Sequence, residues 1–143
     1  MSWDGWICSM KAGDSQGESP VEEAAICGTT AGQESVWASS PGLANITVDE
    51  IKKLVCSRSE MPINGCYLGG KKCRLLRDRM DEEGCFSLDL KTSSDGSDSG
   101  PVNVCVGRTK TAVVIAFGKK DAPGGKLGDK VFKTTECLRK SNM

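Results

Sequence analysis

The sequence contains no histidine, few aromatic residues, no net charge and no long apolar run. Each absence removes a class of function. Without histidine, a serine or cysteine nucleophile lacks its usual activating base, so covalent hydrolase chemistry has no visible support. A zinc site would have to be assembled from thiolates and carboxylates alone. The eight cysteines, at positions 8, 27, 56, 66, 73, 85, 105 and 137, include no CxxC pair that would scaffold one. The sequence therefore reads as a non-enzyme with no metal and no cofactor. Nineteen basic residues cancel nineteen acidic ones, leaving no global field to recruit nucleic acid or an acidic membrane. The longest apolar run, Ala112 to Phe117, is far short of the roughly 20 residues a membrane helix needs. The opening MSWDGWIC lacks the apolar stretch of a signal peptide. A soluble, cytoplasmic single domain over residues 1–143 is expected, its cysteines mostly small, buried and reduced.

Against this scarcity, Trp3 and Trp6 stand out. Two of the chain's three tryptophans fall within its first six residues, at a spacing that places both indoles on one face of a short helix. Taken alone, such a pair reads as a terminal helix stapled to the core. The polar, glycine-containing stretch Ala12 to Ser19 ends that helix. Glu23–Cys27 and Glu34–Ala38 then read as two short strands of a hairpin that carries Trp37. Thr47-Val-Asp-Glu50 is a capping-box pattern, with Val48, Ile51, Leu54 and Val55 forming an apolar stripe behind it. From Ile63 onward, Asn64-Gly65 and Gly69-Gly70 punctuate strands, among them Cys73–Arg77 and an alternating Phe86, Leu88, Leu90. A sheet with one wet face fits that alternation. Val102–Val106 and Thr111–Phe117 make the clearest hairpin, joined through Gly107 to Lys110, and its second strand is expected to be central. Leu127, Val131, Thr134 and Leu138 recur at helical spacing, with Arg139 and Lys140 in the last turn complementing the helix dipole. The fold class is α+β, with terminal helices covering one face of an antiparallel sheet. The glycine-lysine runs near residues 118–126 do not form a nucleotide-binding P-loop.

Ser35-Val-Trp-Ala38 with Pro41-Gly42, Asn45-Ile-Thr47, Asn64-Gly65 with Leu68-Gly-Gly70, Lys72-Cys73, Arg77-Asp78 and Gly124-Gly125 resemble animal profilins, in order and across nearly the whole chain. The resemblance implies a monomeric binding protein with a central antiparallel sheet. The N- and C-terminal helices would pack on one face and smaller helices on the other. It implies two partners, monomeric actin and proline-rich segments, and a third class of ligand in phosphoinositide head groups. The proline groove would comprise Trp3, Trp6, Trp37, Cys137, Leu138 and Met143. Aromatic walls suit a polyproline II helix, whose rings pack flat and whose carbonyls lack internal hydrogen bonds. The actin surface would comprise Lys72, Arg74, Leu75, Leu76, Arg77, Lys91, Asn103, Ala122, Gly125, Asp129 and Lys133. Phosphoinositides would meet Lys72, Arg77, Lys91, Arg139 and Lys140.

The chain departs from the animal pattern in both places. Cys137 stands where histidine is common and Met143 where an aromatic is common, which implies weakened polyproline binding. Ala122-Pro123 replaces Val-His, while Gly128, Asp129 and Lys133 replace Asn, Lys and Glu. Two of these changes reverse charge, which implies weakened actin binding. The alternative is a proline-peptide or phosphoinositide module with weak or lost actin binding.

Overall fold

A computed structural model describes residues 5, 7, 21–29, 35–39, 46–56, 66–68, 71–79, 87–92, 102–109, 111–118 and 124–140, with positions 53–56, 66, 71, 77–79 and 124–126 described by backbone alone. Seven strands form one sheet: β1 (Val21–Gly28), β2 (Ser35–Ser39), β3 (Cys66–Leu68), β4 (Lys71–Arg79), β5 (Ser87–Thr92), β6 (Asn103–Arg108) and β7 (Ala112–Gly118). Their spatial order is β2-β1-β7-β6-β5-β4-β3, and every adjacent pair is antiparallel. Helix α1 (Val48–Cys56) interrupts the strands and helix α2 (Gly124–Lys140) follows them. Gly5 and Ile7, in the N-terminal segment, are also helical. The two edge strands, β2 and β3, are among the shortest, five and three residues long, which limits the unpaired backbone offered to other chains.

Strand alternation divides the apolar residues between two faces. On the α1 face, Cys27, Leu68, Cys73, Leu88, Leu90, Val104, Val106, Val113, Ile115 and Phe117 form one buried cluster with Ile46 and Ile51. On the α2 face, Ala24, Ile26, Ala112, Val114 and Ala116 form another with Ile7, Leu127, Val131 and Leu138. The second face is built largely of alanine where the helix rests, because a helix axis can approach a sheet closely only over small side chains. Gly107 of β6 is the limiting case. A Cβ there would lie 2.4 Å from Thr135 Cγ2 and 2.7 Å from Val131 Cγ1. Burying Leu127, Val131 and Leu138 contributes on the order of 1.5–3 kcal/mol each. The buried hydroxyls on α2 are satisfied locally, Thr134 Oγ1 donating to Lys130 O at 3.0 Å and Thr135 Oγ1 to Phe132 O at 2.9 Å.

The capping box forms as the sequence predicts. Thr47 N donates to Glu50 Oε1 at 2.9 Å, and Glu50 N donates to Thr47 Oγ1 at 3.2 Å. Three expectations need correction. Val48 is not part of the buried stripe behind that cap; it is exposed, whereas Ile51 is wholly buried. The turn between β6 and β7 is shorter than predicted, since Arg108 pairs with Val113 inside the ladder. Thr109 closes this turn, its N donating to Ala112 O at 2.8 Å and its Oγ1 accepting from Ala112 N at 3.0 Å. Nor does the sheet have one wet face throughout. Strand β7 is interior, and all seven of its residues are buried. The β5-β4-β3 end of the α2 face exposes polar side chains, because α2 packs chiefly on β6 and β7. The predicted loop at Ala12–Ser19 lies outside the described residues.

Candidate binding surfaces

Two β-bulges, each an extra residue on one strand, decide what the sheet displays near its edges. The first is in β2. Ile26 pairs with Ala38 but Cys27 pairs with Val36, so Trp37 is the inserted residue. The insertion brings Trp37 to the α2 face, where its side chain packs against the Ile7, Leu127, Val131 and Leu138 cluster. Its indole lies over Gly28, where a Cβ would meet Trp37 Nε1 at 2.6 Å and Cε2 at 2.7 Å. Glycine is required there by close approach rather than by backbone conformation. The burial of Ile7 in the same cluster joins the N-terminal segment to α2 and β2.

Of the expected proline-groove residues, Trp37, Cys137 and Leu138 fall among those whose side chains are described, and Trp3, Trp6 and Met143 lie outside them. Cys137 is exposed on α2 and reduced. Leu138 is fully buried, so it supports the region from beneath and does not present a contact surface as expected.

The second bulge is in β4. Leu75 pairs with Leu90 and Arg77 with Asp89, leaving Leu76 inserted between them. Leu75, half-buried, packs against the α1-face cluster. Leu76 is 50% exposed. The pairing returns position 77 to the α2 side of the sheet, where Arg74 pairs with Lys91 and Lys91 with Asn103 across three strands. Were Leu76 paired as an ordinary ladder residue, position 77 would share the face of Cys73 and Leu75. Lys72 and Arg74 are exposed, and Lys91 and Asn103 half-buried.

Helix α2 borders this open end. Thr135 sits against Gly107 of β6, and Arg139 Nε donates to Arg108 O at 2.9 Å. Gly128 and Phe132 share that flank by helical spacing. Phe132 is 46% exposed, as is Tyr67, the β3 partner of Lys72. Sequence reasoning passed over both. The signal for Phe132 was its position off the Leu127, Val131, Thr134, Leu138 stripe: an aromatic on a helix that does not need it for packing. Asp129 and Lys133 are exposed one step further around the helix. Gly125 lies in its first turn, and Ala122 lies outside the described residues.

The five basic residues expected at phosphoinositides do not form one cluster. Lys91 pairs with Asn103 at the start of β6, whereas Arg139 bonds Arg108 at its end, about 17 Å away along an extended strand. Burial, reinforced by the neighbouring positive charge of Arg108, lowers the Arg139 pKa from the usual arginine value. Lys140 Nζ is 3.3 Å from Glu136 Oε1 in an exposed pair, a contact of small energetic weight.

Among the described residues, no group of histidine, cysteine or carboxylate side chains could hold a metal ion, and no helix is long and apolar enough to cross a membrane. Cys27, Cys73 and Cys105 are buried reduced thiols. Burial, with a smaller contribution from the Glu50 carboxylate, pushes the Cys27 thiol up to about 12.

Comparison with known proteins converges on one family. The profilin family model matches residues 1–143. Human profilin-1 is 36% identical over 142 residues, spanning 97% of this chain and 96% of its own. Human profilin-2 is 36% identical over 123 residues, spanning 84% of this chain and 86% of its own. Mouse profilin IIa, solved in complex with a double repeat from the FH1 domain of mDia1, shares the fold at a TM-score of 0.87 and 32% identity, with all of both chains covered. LokiProfilin1, solved in complex with rabbit actin, has a TM-score of 0.65 at 13% identity over 99% of this chain and 98% of its own, a likeness of fold alone. The family model over the full length and the shared sheet and helices lead to one conclusion: this chain belongs to the profilin family.

Proposed function

We propose that this chain is a cytoplasmic two-surface adaptor, one domain over residues 1–143, that binds monomeric actin on one surface and proline-rich segments on another and so regulates actin polymerisation. The observation that carries the actin half is the row Arg74, Lys91 and Asn103 across the open end of the sheet, flanked by Lys72, Leu76 and Phe132. Half-exposed apolar groups beside cations suit a protein surface that buries a small apolar centre within a charged rim. The proline half rests on Trp37, aimed by the β2 bulge at the terminal-helix side, and on profilin IIa having been solved with an FH1 repeat. No chemistry of its own is required of either surface, and any influence on actin's bound nucleotide would be conformational.

Two assays test the halves separately. In pyrene-actin polymerisation, excess protein should lengthen the lag, and an unaltered lag would remove the actin half. Titration with a proline decamer should change tryptophan fluorescence, and no change at millimolar peptide would remove the other. A second reading, a proline-peptide or phosphoinositide module with weak actin binding, is favoured by one feature. Asp129 and Lys133 are both exposed on α2, where their charges reverse the pattern of animal relatives, and mismatched interface charges cost several kcal/mol when the partner's stay fixed. For phosphoinositides, Lys72 and Lys91 on the open face form the better candidate, since Arg139 is engaged with Arg108. Binding to vesicles containing a phosphoinositide, lost on substituting Lys72 and Lys91, would support that part.

A further inference from the structure

Strands β3 and β4 place Cys66 and Cys73 directly opposite one another in antiparallel register. Directly opposed residues in such a ladder have Cα atoms about 4.5–5.5 Å apart and belong to the same face of the sheet. That separation lies within the range a disulfide spans without backbone movement. The register is fixed at both sides of the pair. Tyr67 pairs with Lys72 and Leu68 with Lys71, so only Gly69 and Gly70 separate the strands. On the other side of β4, Cys73 pairs with Thr92 of β5. Cys73 is a buried reduced thiol in the α1-face cluster.

We propose that Cys66 and Cys73 form a reversible cross-strand disulfide under oxidising conditions, with a low-molecular-weight disulfide such as oxidised glutathione as the electron acceptor. One thiol loses its proton and its thiolate attacks a sulfur of the oxidant, forming a mixed disulfide and releasing one glutathione thiolate. The second cysteine, also deprotonated, attacks the protein sulfur of that mixed disulfide and releases the second. Two protein thiols are oxidised by two electrons, one glutathione disulfide is reduced to two thiols, and the two protons end on the released glutathione. Access to the buried Cys73 comes through local opening of β3, a three-residue edge strand with one sheet neighbour, the kind of element that opens at the low end of a protein's stability range. The bond would tie β3 to the strand that displays Lys72 and Arg74.

The test uses the intact protein. It is incubated with oxidised glutathione, quenched in acid, alkylated with N-ethylmaleimide and digested with trypsin, which cuts at Lys71 and Lys72 between the two cysteines. The expected product is a pair of peptides joined through Cys66 and Cys73, two hydrogens lighter than the sum of the reduced peptides. It should revert with dithiothreitol and disappear in Cys66→Ser. Alkylation of both thiols, separate glutathione adducts on each, or either residue joined to a different cysteine such as Cys56 would overturn the proposal. The wild-type digest decides this even if the Cys66→Ser variant fails to fold.

Discussion

The two ends of the α2 face differ in composition and in purpose. Over β1, β7 and β6 the face is alanine, valine, isoleucine, Cys105 and the glycines Gly28 and Gly107, packed beneath Trp37, Leu127, Val131 and Leu138. Over β5, β4 and β3 the same face carries Lys91, Arg74, Lys72 and Tyr67 with no helix among the described residues packed on it. The opposite face stays apolar from β1 to β3. One sheet therefore holds a fully clad half that supplies stability and a half-clad end that offers a surface. Mutations should separate these roles cleanly.

The largest effect is expected in the clad half. Ile115→Ala, at a wholly buried position on interior strand β7, should lower unfolding free energy by about 4 kcal/mol in urea denaturation, the range for truncating a buried aliphatic. Gly107→Val should lower it by about 3 kcal/mol, because the added methyl groups displace Thr135 and Val131 and lift α2 from the sheet. If Gly107→Val is tolerated without loss, the close helix approach is not what fixes the clad half.

Alkaline pH probes the same half from within. The Cys27 pKa of about 12 lies above its ordinary 9.0, so between these values the native state holds a proton that the unfolded chain releases. Stability from this thiol is fully present below pH 9 and falls as pH rises toward 12, by up to about 1.4 kcal/mol per unit. Unfolding curves at successive pH values should show that slope in the parent protein and a shallower one in Cys27→Ala. Equal slopes would remove Cys27 as the cause. The smallest stability effect belongs to the open end, where Arg74→Glu should move unfolding by less than about 0.5 kcal/mol. The same change should weaken actin binding at least tenfold in co-sedimentation or pyrene assays. Unchanged binding would sink the assignment of that surface.

Much of this organisation is legible in the sequence because local patterns and tertiary packing agree. The capping box at Thr47 and Glu50, the stripe Leu127, Val131, Thr134 and Leu138, and the alternation of Leu88 and Leu90 all appear in the structure as their spacing predicts. Failures occur where an extra residue breaks the alternation. Read as a regular strand, β4 puts position 77 on the face of Cys73 and Leu75, whereas its pairing with Asp89 puts it on the other. Only the pairing with β5 reveals which residue is inserted. Leu138 illustrates a different limit of local pattern: its helical position marks it as apolar-facing and it is buried, but nothing local distinguishes a groove wall from a floor.

The bulges at Trp37 and Leu76 also imply an unusual response to chain length. Each inserted residue changes the parity of its strand, so that everything beyond it answers to the opposite side of the sheet. Deleting Leu76 would leave a regular ladder, with Leu75 still opposite Leu90 and position 77 still opposite Asp89, and would remove only an exposed leucine. Deleting Trp37 would likewise leave Ala38 opposite Ile26 and Val36 opposite Cys27, and would take only the indole from the α2 face. In these two strands the count of residues carries as much information as their kind, and adding or removing one of the paired residues should be less forgiving than deleting the inserted residue itself.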